Sequence, residues 1–406
     1  MRKSIASLLL GTALAMTIAG AVFAQDKTVK MGVLTDQSGL YADLGGPGSV
    51  LAAQMALEDS GLAGKGWKID IISGDHQNKP DIGTSIAKQW FDVDKVDIIL
   101  DVPNSGVALA VNNVVKEKNG VYINSGAATS DLTNAQCSPN TVHWTYDTYM
   151  LAHTTGQALV KAGGDTWFFL TADYAFGAAL ERDTTAVIIA NGGKVVGGVK
   201  HPLNTPDFSS FLLQAQASKA KIIGLANAGG DTTNSIKQAA EFGIVKGGQK
   251  LAALLLFLSD VKAIGLETAQ GLNFTETFYW DLNDQTRAFS KKFSERMKNG
   301  AMPTMVHAGV YAGTLHYLKA LEALGSNPHD GAKVVEKMKS IPTEDSLFGK
   351  GEIQPNGRTI HNAYLFEVKK PSESKGPWDF YKLVGTVPGD QAFTPLSESK
   401  CALLKK

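Results

Sequence analysis

Short apolar runs alternate with amphipathic segments along the first third of the chain. Each run is bounded by polar or turn-forming residues, as buried strands are, and the segments between the runs carry apolar residues at helical spacing. The predicted strands are 29–35, 67–73, 96–102 and 121–126, and the predicted helices between them are 47–61, 81–94 and 105–120. Strands and helices that alternate in this way form a parallel sheet covered on both faces.

A second series of the same kind begins after Asp147. Its predicted helices are 148–162, 175–191, 207–218 and 231–242, and its predicted strands are 166–172, 194–200, 221–228 and 250–257. Helices 284–298 and 303–324 follow, and the second is apolar around most of its circumference, which predicts burial. Short strands around an Asn-Gly turn at 356–357 end the pattern. We therefore predict an α/β fold with two doubly wound, parallel-sheet lobes, between which the chain passes more than once.

The first 24 residues have the three-part pattern of a secretory signal peptide. Arg2 and Lys3 precede a short, uncharged apolar run, and residues 22–24 form the cleavage site. The run has no charged flank after it, unlike a membrane-spanning segment, and no cysteine lies near it to accept a lipid. We predict export of the chain, with cleavage after Ala24.

The balance of charge argues against a nucleic-acid partner. The full sequence has 39 basic and 39 acidic residues and a formal net charge of +0. A nucleic-acid surface needs a clustered excess of lysine and arginine. We expect no nucleic acid among the partners.

The chain has two cysteines, Cys137 and Cys401. An even number of cysteines in an exported chain favours a disulfide. This bridge would tie the C-terminal tail to the first third of the chain. The alternative is a pair of free thiols.

Sequence signatures of catalysis and of cofactor binding are absent. The glycine-rich stretch 36–56 follows a predicted strand, as phosphate-binding loops do, yet it contains neither G-x-G-x-x-G nor a lysine for phosphates. The chain also lacks G-x-x-x-x-G-K-[ST], G-x-S-x-G and H-E-x-x-H, and its eight histidines have no metal-ligand spacing. We predict a non-enzymatic protein with no cofactor and no metal site.

The loops after the predicted strands carry the candidate binding chemistry, because open α/β sheets bind ligands at the carboxyl ends of their strands. Ser105 starts a predicted helix, where its hydroxyl and the free backbone N–H groups can hold a carboxylate. The other candidates are Ser38 and Tyr41, the backbone groups of Ala127 and Ala128, the Thr129 hydroxyl, Tyr174 and Phe176, and the turn 226–231. Helix capping is an alternative role for each serine and threonine.

Six segments of the chain together resemble one known family. They are VKMGVLTDQSGLYADLG, VYINSGAATSDLT, ADYAFG, DFSSFLLQAQASKAKIIGLANAGGD, HAGVYAGTLHYLKALEALGS and GKGEIQPNGR. Their order and spacing, from about residue 28 to about residue 370, resemble the periplasmic substrate-binding proteins of ABC transporters, in the leucine/isoleucine/valine-binding family. The resemblance implies the type I periplasmic binding fold, in which two lobes joined by three crossovers close on a ligand, and a periplasmic location.

The resemblance also implies a division of the chain. Lobe 1 would comprise residues 25–147 and about 281–350, and lobe 2 would comprise 148–280 and about 351–390. Residues 391–406 would form a C-terminal tail, tied back to lobe 1 by the disulfide. The implied partners are a small solute and ABC permease subunits in the inner membrane, and we expect a monomer.

The family motifs assign roles to several loop residues. Ser105, Ala127 and Thr129 would grip the ligand carboxylate from lobe 1. Tyr174 would close on it from lobe 2, with the turn Gly229–Asp231 nearby. The ligands of the family are mostly branched-chain amino acids, with amides, urea and aromatic acids in some branches.

One departure from the family pattern concerns the ligand ammonium. Amino-acid binders of the family place a carboxylate in lobe 2 to pair with it, whereas the corresponding segment here reads LAALLLFLSD, with Asp231 or Asp260 as the remaining alternatives. A buried ammonium without a partner is costly. An aromatic carboxylate therefore stays open as the ligand, in an apolar cavity for which the candidate lining residues are Tyr41, Trp144, Tyr146, Tyr149, Phe176, Phe257 and Trp280.

These expectations favour the solute-binding component of an ABC importer. It would capture a small carboxylate-bearing solute, either a hydrophobic amino acid or an aromatic acid, and deliver it to a membrane permease. A binding protein for an amide or urea-type solute, and a soluble sensor of the same fold, are the alternatives. A secreted α/β enzyme would need an acid–base pair or a nucleophile in the cleft, and the sequence shows neither.

Overall fold

A computed structural model of the chain describes residues 26–404. The predicted signal peptide, residues 1–24, and its cleavage after Ala24 lie outside the described residues. The strands are β1 (Thr28–Thr35), β2 (Lys68–Asp75), β3 (Ile98–Asp101), β4 (Val121–Asn124), β5 (Thr141–His143), β6 (Thr166–Ala172), β7 (Lys194–His201), β8 (Ile222–Ala226), β9 (Lys250–Ala253), β10 (Asn273–Glu276), β11 (Thr343–Asp345), β12 (Gly349–Ile353), β13 (Thr359–Ile360), β14 (Ala363–Val368) and β15 (Tyr381–Val387).

Helices connect most of these strands. They are α1 (Gly46–Ser60), α2 (Pro80–Gln89), α3 (Ser105–Lys118), α4 (Thr148–Leu151), α5 (Gln157–Lys161), α6 (Ala175–Ala190), α7 (Ser209–Ala217), α8 (Gly230–Glu241), α9 (Leu258–Ile264), α10 (Leu266–Ala269), α11 (Asp284–Arg296), α12 (Met305–Leu324), α13 (Gly331–Lys339) and α14 (Gly389–Ala392). Within the described part of the chain, no helix is long and apolar enough to cross a membrane.

Lobe 1 is built on a parallel five-stranded sheet with the order β2-β1-β3-β4-β5. Side chains alternate across the sheet, so that Ile98 and Leu100 of β3 face α1 and α12, whereas Ile99 faces α2 and α3. All four residues of β3 are buried, because helices cover both faces of a parallel sheet.

Lobe 2 repeats this plan on a parallel four-stranded sheet with the order β7-β6-β8-β9. Trp167 and Phe169 of β6 pack on the side of α6, and Phe168 and Leu170 pack on the side of α7 and α8. A separate antiparallel sheet, β10-β14-β15, lies beside β9. The two parallel sheets confirm the predicted α/β fold with two lobes.

Close packing of α1 against α12 explains part of the glycine-rich stretch after β1. A Cβ at Gly48 would lie 2.4 Å from the Nε2 atom of His307, so only glycine fits where α1 touches α12. Gly46 has φ of 49° and begins the helix, and Pro47 stands in its first turn. These glycines serve a turn and a helix contact, and α12 is buried along most of its length, as predicted.

Three passages of the chain join the lobes, between β5 and α4, between β10 and α11, and between β13 and β14. The C-terminal tail makes a fourth crossing when it returns to lobe 1 after β15. The third passage comes later than the predicted division at residues 350–351. Strand β12 pairs with β11 and β13, and Arg358 bridges to His143 at the edge of the lobe 1 sheet. Pairing with lobe 1 therefore continues to Ile360, and the passage to lobe 2 lies between Ile360 and Ala363.

A buried ion pair lies where the first and third passages meet. The Nη1 atom of Arg358 is 3.5 Å from Oδ2 of Asp147, and both side chains are 1% exposed. The guanidinium also donates to the carbonyl oxygen of Tyr146 and lies 4.4 Å from the ring centre of Phe393, which comes from the C-terminal tail. Burial raises the pKa of Asp147 to about 6 and lowers that of Arg358 to about 10.

Several elements differ from the sequence-based prediction. Strand β5 and helix α13 were not predicted, and the predicted strand 250–257 ends at Ala253. Leu254–Phe257 form a buried loop with a bend at Leu254 and Leu255. The sequence did not predict this loop, since an apolar run alone does not distinguish a strand from a buried loop. This loop reaches the space between the lobes, as described below.

The predicted disulfide between Cys137 and Cys401 is present, with sulfur atoms 1.99 Å apart and a sequence separation of 264 residues. It ties the C-terminal tail to the part of lobe 1 that contains Cys137. Phe393 belongs to the same buried cluster as the lobe 1 core and contacts His361 near the third passage.

Replacing both Cys137 and Cys401 with serine should lower the free energy of unfolding. In the chain-entropy account, a loop of this length contributes at most about 5 kcal/mol, because the bridge restricts the unfolded chain. Urea unfolding of the oxidised protein measures the loss. Dithiothreitol serves as the control, since it should lower the stability of the wild type and leave the double variant unchanged. Equal unfolding midpoints for the oxidised wild type and the variant would contradict the prediction.

Candidate functional site

A small cavity, about 10 Å³ in volume, lies between the lobes at the carboxyl ends of the parallel strands. Its lining residues come from the loops after β1, β3, β4 and β5 in lobe 1 and after β6, β8 and β9 in lobe 2. They are Tyr41, Leu44, Pro103, Gly126, Ala128, Tyr146, Tyr174, Phe176, Ala228, Leu255 and Phe257. Larger grooves elsewhere lie on the outer surfaces of single lobes, whereas ligands of open α/β sheets bind at the strand ends.

Aromatic rings dominate the wall of the cavity. The rings of Tyr146 and Phe257 meet edge to face across the lobes at 6.1 Å, and those of Tyr174 and Phe176 lie 6.0 Å apart. The lining contains no aspartate, glutamate, lysine, arginine or histidine. The composition of the wall therefore suits an apolar or aromatic group. All hydrogen-bond donors and acceptors in the wall belong to neutral groups.

The hydroxyls of Tyr41 and Tyr174 join the two lobes directly, with their oxygen atoms 2.5 Å apart. Burial raises the pKa of Tyr41 well above its ordinary value, and burial likewise raises the pKa of Tyr174. Both phenols therefore stay neutral at physiological pH. Two hydroxyls carry two protons, and one proton is enough for the bond between them, so the other remains available to a ligand.

Ala128 is the predicted lobe 1 donor that lines the cavity, whereas Ser105 and Thr129 lie next to it and outside the lining. Ser105 is the first residue of α3, whose N-cap residue, Asn104, accepts hydrogen bonds from the next N–H groups. The Oγ atom of Ser105 accepts from the N–H of Thr129 at 3.3 Å, which leaves the serine proton free to donate. The N–H of Ala128, a lining residue, has no hydrogen-bond partner among the described residues. These groups lie beside one another and can hold an anion.

Ala127 does not reach the cavity. Its N–H donates to Oδ1 of Asn124 at 3.2 Å, and its carbonyl oxygen accepts from Nδ2 of Asn124 and lies 2.9 Å from Nε2 of His143. Both of its backbone polar groups are therefore engaged inside lobe 1. The neighbouring Ala128 occupies the position at the cavity instead.

Ser38, Gly229 and Asp231 also lie outside the lining. Ser38 is exposed and donates to Oδ2 of Asp75 at 2.9 Å. Gly229 has φ of 59°, and a Cβ there would lie 2.8 Å from the carbonyl oxygen of Leu40, so it permits close approach of the lobes. The carboxylate of Asp231 accepts from two backbone N–H groups of the loop at 204–205, and burial raises its pKa to about 6.

Three of the candidate aromatic residues pack elsewhere. Trp144 lies against His316 in lobe 1, Tyr149 stacks on His153, and Trp280 donates from Nε1 to a carbonyl oxygen of the segment between β14 and β15. Each is an ordinary packing residue. The pattern of apolar and polar positions in a sequence does not show which aromatic ring faces a cavity and which faces the core.

The acids nearest to the lobe 2 wall are occupied by protein groups. Oδ2 of Asp260 accepts from the N–H of Phe257 at 2.9 Å, and burial raises the pKa of Asp260 to about 7. Oε1 of Glu276 accepts from the hydroxyl of Tyr381 at 2.9 Å, and burial raises the pKa of Glu276 well above its ordinary value. Neither acid lines the cavity, so neither is positioned to form an ion pair with the ammonium group of a ligand.

Sequence reasoning did not single out four lining residues, namely Leu44, Pro103, Gly126 and Leu255, whereas Ala228 lies in the predicted turn 226–231. Leu255 follows the early end of β9, within a run that had been assigned to the strand. A Cβ at Gly126 would lie 2.6 Å from Oδ1 of Asp101, so glycine is required where this loop crosses the turn after β3. The glycine itself was the available signal, because a loop glycine often marks close approach of two chain segments.

The turn between β3 and α3 is strained. Asp101 has φ of 78° and Val102 has φ of 61°, and left-handed backbone is rare for a β-branched residue. Oδ2 of Asp101 accepts from the hydroxyl of Thr35 at 2.9 Å, while Oδ1 has no partner among the described residues. Strained backbone of this kind is common at binding sites, and here it lies just before Ser105 in the chain.

Replacing Asp101 with asparagine should stabilise the protein at pH 8. Burial raises the pKa of Asp101 from 3.8 to about 6, so above pH 6 the folded wild type contains an ionised, desolvated carboxylate. The shift corresponds to at most about 3 kcal/mol in favour of the variant, and this difference should shrink as the pH falls through 6 toward 4. Urea unfolding at pH 8 and pH 5 measures the difference.

Asp70→Asn provides the control, because Asp70 is exposed on β2. Its stability relative to the wild type should be the same at both pH values. A variant at position 101 that is less stable than the wild type at pH 8 would show that the ionised carboxylate is stabilised in the folded protein.

The chain is similar to known binding proteins over nearly its whole length. The sequence profile described as periplasmic binding protein matches residues 28–376. A Leu/Ile/Val-binding protein homolog 6 from Brucella melitensis is 26% identical over 370 residues, which cover 89% of this chain and 93% of the relative.

Solved structures agree with this similarity. A periplasmic binding protein from Burkholderia mallei has a TM-score of 0.89 and 53% identity, covering 93% of this chain and 100% of that one. A branched chain amino acid ABC transporter periplasmic ligand-binding protein from Burkholderia xenovorans has a TM-score of 0.81 and 42% identity, covering 92% and 99%. A solute-binding protein from R. palustris in complex with benzoate shares the fold, with a TM-score of 0.77 and 22% identity over 89% and 97%. This chain belongs to the periplasmic binding protein family, as a solute-binding protein of ABC transporters of the leucine/isoleucine/valine-binding type.

Proposed function

We propose that this protein binds a small apolar carboxylic acid, preferably an aromatic one, between its lobes and delivers it to ABC permease subunits in the inner membrane. The mature chain acts in the periplasm as a monomer and has no catalytic activity. Binding occurs by closure of the lobes about the three passages of the chain. Ser105, Ala128, Thr129 and Tyr174 surround the carboxylate, and the rings of Phe176 and Phe257 pack on the apolar part.

The composition of the cavity wall carries the proposal. An α-amino acid brings an ammonium group, which costs several kcal/mol to bury unless a carboxylate and further hydrogen bonds replace its water. The lining contains no carboxylate, and Asp260 and Glu276 behind it already accept hydrogen bonds from protein groups. A carboxylic acid without an amino group avoids this cost.

The anion of the solute has suitable donors in lobe 1. Hydrogen bonds to a charged group contribute about 1.5–3 kcal/mol each, which is more than those between neutral groups. The free N–H of Ala128, the proton of Ser105 and the remaining proton of the Tyr41–Tyr174 pair are such donors. Two proteins of the same fold from R. palustris bind benzoate and 4-hydroxybenzoate, which supports an aromatic acid as the class of solute.

A hydrophobic amino acid is the second candidate. The protein from Burkholderia xenovorans, 42% identical to this chain, is described as a branched chain amino acid ABC transporter periplasmic ligand-binding protein. In that case, the carbonyl oxygens and phenol oxygens at the cavity would have to hold the ammonium without a carboxylate. Direct comparison of solutes that differ only in the amino group separates the two candidates.

We expect 3-phenylpropanoate to bind at least about tenfold more tightly than phenylalanine, and 4-methylpentanoate more tightly than leucine, because the ammonium lacks a partner. Benzoate and 4-hydroxybenzoate complete the panel. A solute at 100 times its Kd should stabilise the protein by about 2.7 kcal/mol, which thermal unfolding detects, and calorimetry then gives each Kd. Tighter binding of leucine than of 4-methylpentanoate would establish the amino-acid candidate. If no solute of the panel stabilises the protein, both the carboxylic-acid candidate and the amino-acid candidate are excluded.

Tyr174→Phe should weaken binding of the preferred acid by about tenfold to a hundredfold. The variant removes a hydroxyl from the pair at the cavity and with it a donor to the carboxylate. Tyr149→Phe is the matched control, because Tyr149 stacks on His153 away from the cavity. Calorimetry of both variants measures the effect. Equal affinity of Tyr174→Phe and the wild type would show that this hydroxyl does not contact the solute.

A further inference from the structure

We infer that Arg182, with Ser130, Asp131 and Asp183, forms an interlobe polar cluster that stabilises the closed arrangement and so helps to set the affinity for solute. Ser130 and Asp131 belong to lobe 1, in the turn after Thr129. Arg182 and Asp183 belong to lobe 2, on α6. The inference rests on the proposed function only in its second part, since closure of the lobes is measurable without solute.

The contacts of the cluster cross from one lobe to the other. Nη1 of Arg182 lies 3.1 Å from Oδ1 of Asp131, and Nη2 donates to Oγ of Ser130 at 2.9 Å. Oγ of Ser130 in turn donates to Oδ2 of Asp183 at 2.8 Å. Nε of Arg182 donates to Oδ1 of Asp183 at 2.8 Å and so fixes the direction of the guanidinium. Three different contacts therefore break when the lobes separate.

Thr148 completes the cluster at the first passage of the chain. Its hydroxyl donates to Oδ2 of Asp183 at 2.6 Å and accepts from the N–H of Ser130 at 3.1 Å. The side chain of Asp183 is 12% exposed, so its oxygens depend on these protein donors rather than on water. Ser130 uses both its N–H and its hydroxyl in bonds to lobe 2 or to the passage.

The cluster is directly continuous with the cavity on both sides. Thr129, whose N–H binds Ser105, is bonded to Ser130, and α6 carries the lining residue Phe176 as well as Arg182. Phe176 and Arg182 are six residues apart, which is about 9 Å along a helix. When the lobes close, the interlobe contacts of the aromatic wall and those of the cluster therefore form at the same time.

The contribution of the cluster should be moderate. The side chains of Arg182 and Asp131 are 51% and 30% exposed, and exposed ion pairs are screened by solvent. We expect loss of Arg182 to favour the open arrangement by about threefold to tenfold. Because the lost contacts exist only in the closed arrangement, the dissociation rate of a solute should rise and its association rate should change little.

Hydrogen exchange of the protein without added solute tests the inference. Peptides that contain Ser130 should exchange at least about threefold faster in Arg182→Ala than in the wild type, because Ser130 is 3% exposed in the closed arrangement and gains access to water each time the lobes open. Arg182→Lys keeps the charge and loses the forked geometry, so its rate should be intermediate.

Arg287→Ala is the matched control. Arg287 also binds two aspartates, Asp281 and Asp284, and its side chain is 44% exposed, yet all three residues lie in one segment of the chain. Its exchange at Ser130 should equal that of the wild type. Equal exchange at Ser130 in Arg182→Ala and the wild type would overturn the inference.

Calorimetry and stopped-flow kinetics with benzoate form the second arm. Arg182→Ala and Asp131→Ala should each weaken binding of benzoate by about threefold to tenfold. The double variant should bind benzoate as tightly as the single variant with the lower affinity, because both substitutions remove the same contact. Multiplication of the two effects in the double variant would overturn the direct coupling of the pair. A wild type that binds no benzoate would count against the proposed solute, and the exchange experiment would still decide the role of the cluster.

Discussion

The buried contact between Arg358 and Asp147 is the interaction on which the arrangement of the lobes depends. It joins the first and third passages of the chain, and both charges are removed from water, so removal of either partner would leave an uncompensated charge in the interior. The guanidinium also holds the carbonyl oxygen of Tyr146, a residue of the cavity wall. The same side chain thus fixes the hinge and one face of the cavity.

Polar groups and charges are separated in an ordered way around this centre. Charged side chains bind one another at the hinge, in the interlobe polar cluster and on the outer surface, whereas the cavity wall has neutral groups only. Uncharged donors such as the N–H of Ala128 can hold an anion without placing a permanent charge in a buried site. A wall of this kind discriminates against zwitterions because it has donors for a carboxylate and no carboxylate for an ammonium group.

The fold and part of the cavity were predictable from local patterns. Alternation of apolar runs and amphipathic segments locates most strands, and the strand ends then locate Tyr41, Tyr174 and Phe176 at one face, where they line the cavity. Leu255 was not predictable, because the apolar run 250–257 continues without a break past the end of β9 at Ala253. The sequence names Ala127 and Ala128 together, and it does not show that the backbone groups of Ala127 bond to Asn124 while Ala128 lines the cavity.

The return of the C-terminal tail to lobe 1 has a consequence for the order in which the protein folds. The parallel sheet of lobe 2 comes from one continuous segment, 166–253, and later residues such as Phe274, Phe366 and Tyr381 complete its core. Lobe 1 combines strands near the start of the chain with α12, strands β11 to β13, Phe393 and Cys401. The covalent link between Cys137 and Cys401 cannot form until nearly the whole chain has been synthesised, so lobe 1 is completed only when the last residues are available.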